Sequence, residues 1–200
     1  LKIAELKKSV PARFSGRRSS DFFGLLERAI CGERAVELAE QFCQETLAQA
    51  NEPKTPEKTR LMWLYALPPV PNIIEVLDNK WGAKVVAAEE EDALCWDEMD
   101  EQEPLQAIAR RICQSRTVGA IDNRLRQILR MARDYSVQGA VHFSHFSCAY
   151  STGGTRVIKD ALAEQGVAFL NLDGDCGSMQ NNNPSQMMET LEEFVERLVD

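Results

Sequence analysis

The chain has little of what marks a membrane, secreted or nucleotide-hydrolysing protein. Its longest apolar run, residues 61–71, falls well short of the roughly 18 residues that cross a bilayer, and prolines interrupt it. Residues 1–3 lead into charge, so no secretory leader is expected. No two of the six cysteines form a Cys-x-x-Cys pair, which argues against a redox or zinc-ribbon motif. Histidine occurs only at His142 and His145. A Walker A sequence, a Gly-x-Ser-x-Gly elbow and a Gly-x-Gly-x-x-Gly fingerprint are all missing, so triphosphatase, hydrolase and dinucleotide-binding readings have no support.

What is present is ordinary for a globular fold. The 200 residues suit one domain, or one domain with an appendage. A chain of this size hides about 70% of its surface on folding, enough for a real core. Hydrophobic residues make up 44% and charged residues 27%. Acidic residues outnumber basic ones 31 to 23, and a net charge of −8 argues against nucleic acid as a partner. Arginines cluster at 110–133 among Ile and Leu at helical spacing, which predicts a solvated helix face. Without a leader, the cysteines point to a reducing cytoplasm. Cys31, Cys43 and Cys113 fall in amphipathic stretches and read as small buried hydrophobes.

The first 56 residues read as a helical extension without a strand. Ser20-Asp21 precedes an apolar set at Phe22, Phe23, Leu25, Leu26 and Ile30, and residues 51–56 have the composition of a linker. From 57 to 200, strand and helix patterns alternate. Strands are expected near 60–66, 83–88, 139–143 and 167–172, with helices over 72–81, 104–115, 122–135, 155–165 and 185–199. A long acidic loop is expected over 89–103. Short apolar strands that alternate with helices give a parallel sheet. The expected fold is α/β, a four-stranded parallel flavodoxin-like (half-Rossmann) sheet flanked by helices.

Ligands in such sheets bind beyond the carboxyl ends of the strands. Cys95, Cys148 and Cys176 fall there, as do Asp173 and Asp175. The segment Ser147-Cys148-Ala149-Tyr150-Ser151-Thr152-Gly153-Gly154 carries a thiol, hydroxyls and two glycines ahead of a helix beginning near Thr155. Amide N–H groups there would favour a thiolate or an anion, facing it from Gly153 to Arg156. Ser147, Ser151, Gly153 and Gly154 are the candidate substrate contacts. His142 lies within a strand and reads as a satisfied core group.

Two stretches, His142-Phe143-Ser144-His145-Phe146-Ser147-Cys148 and Ser151-Thr152-Gly153-Gly154-Thr155-Arg156-Val157-Ile158, resemble the 2-hydroxyglutaryl-CoA dehydratase D-component family. That family includes benzoyl-CoA reductase subunits. The likeness continues through Gly166-Val167-Ala168-Phe169-Leu170-Asn171-Leu172-Asp173-Gly174-Asp175-Cys176, and upstream at Asp21-Phe22-Phe23-Gly24, Glu103-Pro104-Leu105 and Asn123-Arg124-Leu125.

The resemblance implies a lyase subunit acting on acyl-CoA thioesters by one-electron ketyl-radical chemistry. It implies a four-iron four-sulfur (4Fe-4S) cluster held through three cysteines, a second related subunit and an ATP-dependent iron–sulfur activator. Cys148 maps onto a cluster ligand, and Cys95 sits where a second could. By the same resemblance the chain looks like the C-terminal half of a family member, so a complete cluster is not expected on these residues alone. Two arginines that the family pattern leads one to expect are replaced, one by the run Ser178–Asn183 and one by the residues after Gln186. An alternative reading is therefore a non-catalytic flavodoxin-like module that has lost the cluster.

Overall fold

The structure is a computed structural model that describes residues 2–14, 33–50, 56–68, 70–94 and 100–199. The apolar set at 22–30, Cys31, Cys95 and nearly all of the expected linker lie outside the described residues.

Four strands form one sheet: β1 (Thr59–Leu64), β2 (Ala83–Ala88), β3 (Gly139–His145) and β4 (Ala168–Gly174). Their order is β2-β1-β3-β4 and every pairing is parallel, as the alternating pattern predicts. Trp63 lies beside Val141, and Phe143 beside Leu172. The central strands are apolar on both faces because both faces are covered. Leu61, Trp63, Val141 and Phe143 point into a cluster with Leu77, Leu191, Phe194 and Val195. Met62, Leu64 and Ala140 point the other way, against Ile128, Met131, Ile158 and Leu162. The period of two along β1 thus feeds two cores at once. Each buried Leu, Ile or Phe contributes roughly 1.5–3 kcal/mol.

The helices follow the sequence pattern with a few shifts. Among the described residues they are, in chain order, α1 (Lys2–Lys8), α2 (Glu33–Gln49), α3 (Ile73–Val76), α4 (Glu89–Leu94), α5 (Pro104–Gln114), α6 (Ile121–Asp134), α7 (Ala149–Thr152), α8 (Thr155–Glu164) and α9 (Pro184–Val199). The expected helix over 72–81 begins as α3 and finishes in a π-type turn, Leu77–Trp81. Gly82 closes it at φ 65°, where an added Cβ would lie 2.4 Å from the Pro56 carbonyl oxygen.

Four expectations need correction. The acidic stretch from Glu89 is not a loop throughout: β2 runs directly into α4, whose acidic first turn suits the positive end of a helix. β1 ends at Leu64, because Tyr65 turns out of the strand at φ 63°. Cys113 is exposed, since no residue of α5 is buried. Arg124 is not on a solvated face; it is 1% exposed and lies on the buried stripe of α6 with Ile128 and Met131.

The N-terminal residues pack against the sheet domain. Arg60 is buried, and its guanidinium donates to the carbonyls of Lys7, Ser9 and Tyr135 and to Glu57. Ala12 belongs to the core beneath α6 and α8, and Lys7 pairs with Glu91 of α4.

Candidate functional site

β1 and β3 lie side by side, while their partners β2 and β4 lie on opposite outer flanks. The chain order therefore switches direction between β1 and β3, and in sheets of this type the ligand crevice lies beyond the carboxyl ends at that switch. Tyr65 follows β1 and Cys148 follows β3. They meet across this crevice, with Tyr65 Oη 3.6 Å from Cys148 Sγ. Both turns depart from extended backbone through a left-handed residue, Tyr65 at φ 63° and Ser147 at φ 63°. Neither is glycine, so each conformation costs of order 1 kcal/mol and must be held by its surroundings.

The Cys148 thiol is pushed down to about 7, first by the Tyr65 hydroxyl and then by the amide and hydroxyl of Ser151, with the Tyr150 amide helping. The Tyr65 phenol is pushed up to about 12, chiefly by the same contact and by burial. Whenever the thiol is ionised, the phenol is the donor of this contact and the sulfur its acceptor. The amide donors come from residues 150–151 and not from Gly153 to Arg156. The reason is α7, a single turn that starts directly after Cys148 and was not expected from the sequence.

Behind Tyr65 lies a buried charged network. Glu89, 2% exposed, accepts from Arg124 Nε at 2.6 Å and Nη2 at 2.9 Å. Its carboxylate also accepts the Tyr65 backbone N–H at 2.9 Å and the Tyr150 hydroxyl at 3.4 Å. Arg116 approaches the same carboxylate at 3.7 Å. Burial alone would raise the Glu89 pKa, but Arg124 and Arg116 hold it below the usual carboxylate range. Arg124 also donates to the Tyr150 carbonyl at 3.0 Å and lies over the Tyr150 ring at 4.5 Å.

His142 is fully buried, as its place in the strand predicts. Burial holds its pKa below the ordinary histidine value. Arg124 Nη2, which can only donate, sits 3.3 Å from His142 Nε2. Nε2 is then the acceptor, and Nδ1–H donates to Asn171 Oδ1 at 2.9 Å. Ser144 donates to the same oxygen at 2.7 Å.

The other candidates occupy varied positions. Ser147 is exposed beside Cys148. Ser151 is buried, its Oγ engaged with His145 N–H and with the His145 and Cys148 carbonyls. Gly153 packs over the Ala149 carbonyl, and Gly154 against Ile121, where a Cβ would come within 2.5 Å of Cδ1. Cys176 is exposed on the loop after β4, and its N–H donates to His145 Nδ1 at 3.1 Å. That loop is stapled by Asn182, which bonds the Asp175 N–H, the Asp175 carbonyl and the Ser178 carbonyl, and by Asn181, which donates to the Asp175 carboxylate. Among the described residues, no three His, Cys, Asp or Glu side chains gather as a metal site.

A doubly wound parallel sheet with an acidic thiol at its switch point defines an α/β protein of flavodoxin-like type. Residues 1–198 match the family model described as 2-hydroxyglutaryl-CoA dehydratase, D-component, and the chain belongs to that family. Membership makes it a dehydratase-type subunit, one that works with other subunits. No curated protein matches the chain. Among the described residues, no helix is long and apolar enough to cross a membrane.

Tyr65, Glu89 and Arg124 were not singled out by the sequence reading. Arg124 carried a signal all the same. It falls on the apolar stripe of α6, three residues after Ile121 and four before Ile128, where a solvated arginine has no place.

Proposed function

We propose that this chain is the flavodoxin-like domain of a 2-hydroxyacyl-CoA dehydratase-type iron–sulfur subunit, and that Cys148 is one of its cluster ligands. The observation that carries this is the place of Cys148, at the switch point with the Tyr65 hydroxyl 3.6 Å from its sulfur, in a chain that matches the family over nearly its full length. The donor set suits the role: a half-buried thiolate with hydroxyl and amide donors on its sulfur is stabilised as a ligand, and such bonds tune a cluster's potential. Cys148 is the ligand this reading assigns among the described residues, and Cys95 after β2 is the further candidate within the chain. Cys148 would hold such a cluster at this edge, and the chemistry the cluster would supply is one-electron reduction of an acyl-CoA thioester carbonyl.

The chain's own residues hold and shape the edge. Tyr65 keeps a proton directed at the sulfur. Ser147 and the exposed backbone around Gly153 border the crevice where the acyl thioester would lie. An ATP-dependent iron–sulfur activator and a second related subunit complete the system, which we place in the cytoplasm. A second reading, an accessory module without a cluster, draws on the loop after β4. There the Asn181–Asn182 staple fills the place of an expected arginine.

Cys148→Ser in the intact protein, purified anaerobically with its partner subunit, tests the first reading. The swap is nearly isosteric, so the melting temperature is expected to hold while iron content falls sharply and acyl-CoA dehydration stops. Normal iron and normal turnover would refute the ligand role.

A further inference from the structure

The buried Glu89–Arg124 pair is poorly explained as a source of stability. Such pairs return little over an apolar substitute of the same volume. Its hydrogen bonds, however, go to unusual places. Glu89 accepts the backbone N–H of Tyr65, and Arg124 donates to the backbone carbonyl of Tyr150. The first group belongs to the turn after β1 and the second to the turn after β3. These are the two lips of the crevice. Tyr65 adopts a left-handed backbone that its side chain disfavours, so its N–H direction depends on an outside acceptor. Glu89 is that acceptor.

We infer that Glu89 is the positioning residue of this crevice: paired with Arg124, it clamps the Tyr65 turn to the Tyr150 turn and thereby sets the Tyr65 hydroxyl against Cys148. The inference rests on the reading of Cys148 as the site's functional thiol, but its geometry does not depend on what that thiol binds. Glu89 touches neither the sulfur nor the open crevice. It acts through Tyr65 on one side and through Arg124 and Tyr150 on the other. Arg116 also faces it, at 3.7 Å, so the carboxylate is enclosed by two guanidinium groups and two tyrosines.

The test uses the full chain in metal-free form and two readouts. The first is amide exchange resolved by peptide. Glu89→Gln is expected to speed exchange in residues 64–67 and 146–151 while β3 and β4 keep their protection, and Glu89→Asp is expected to restore part of the loss. The second is alkylation of Cys148 by iodoacetamide at pH 6.0, followed on its own peptide. Tyr65→Phe should slow it about three-fold for each unit the thiol rises, once the better nucleophilicity of the less acidic thiolate is allowed for. Glu89→Gln should slow it comparably, and the double variant no further than Tyr65→Phe alone.

Wild-type exchange and alkylation in Glu89→Gln would overturn the inference. So would additive slowing in the double variant, or a uniform loss of protection across all strands. If Glu89→Gln does not fold, Arg124→Lys decides: faster exchange confined to 146–151 supports the clamp, and an unchanged turn overturns it. The Cys148→Ser iron measurement is separate, so a failed ligand role and a failed clamp give different patterns.

Discussion

Tyr65→Phe removes one oxygen from the crevice and leaves the ring, so its effect can be worked from the contacts at Cys148. The sulfur has three sources of hydrogen bonding: the Tyr65 hydroxyl, which has the largest effect, the Ser151 amide and hydroxyl, and the Tyr150 amide. Together they bring the thiol from 9.0 to about 7. Losing the strongest while keeping the others should return about half of that shift. The expected change is roughly one pKa unit. The midpoint of the pH profile for Cys148 alkylation should thus rise from about 7 toward 8. The plateau at high pH should rise about three-fold, because a less acidic thiolate is the better nucleophile.

The sign carries over to folding. A thiol acidified on folding contributes stability that is fully present above its unfolded value near 9 and is lost as pH falls through about 7. The unfolding free energy of the metal-free protein should therefore decline between pH 9 and pH 7, and decline less in Tyr65→Phe. An unmoved alkylation midpoint would refute the reasoning and leave the Tyr65–Cys148 contact as packing.

Two further outcomes follow from burial. Arg124→Met should cost about 3–5 kcal/mol in urea denaturation, because it leaves the Glu89 carboxylate buried without its main partner. Pairing it with Glu89→Leu should recover a large part of that loss, and a strictly additive double variant would contradict a coupled pair. Gly154→Ala should cost no more than about 1 kcal/mol, because the atom its Cβ would meet is the free end of the Ile121 side chain, and a large fall in the thermal midpoint would show that Ile121 cannot turn aside.

The sheet was legible because β1, β2 and β3 are buried almost throughout and carry short apolar stretches between polar turns. Residues 61–64 are buried and wholly apolar, and 140–143 differ only by His142, while the edge strand β4 is mostly half-buried and still reads as apolar over 167–170. The site was legible only in part. Cys148 stood out by its place after a strand. Glu89 did not, because a carboxylate at the head of an acidic run looks solvated until its partner is known, and that partner is 35 residues away. Tyr65 falls inside the strand expected over 60–66, and nothing local announces a left-handed turn at a tyrosine. Cys113 reads as buried because α5 is amphipathic; amphipathicity identifies a face and does not say whether anything in the chain covers it.

The strand order has a consequence for how the molecule assembles. Leu61 and its β2 partner Val85 are 24 residues apart, and Gly139 and its β4 partner Ala168 are 29 apart. Leu61 and its β3 partner Gly139 are 78 apart. On closure entropy alone, joining β1 to β3 costs about 0.9 kcal/mol more than joining β3 to β4. The sheet is thus two local βαβ units meeting along one long-range seam, and the crevice lies on that seam. Tyr65 and Glu89 come from one unit, and Cys148 and Tyr150 from the other. Neither unit alone holds both the phenol and the thiol, so the chemistry of this edge exists only in the fully joined chain.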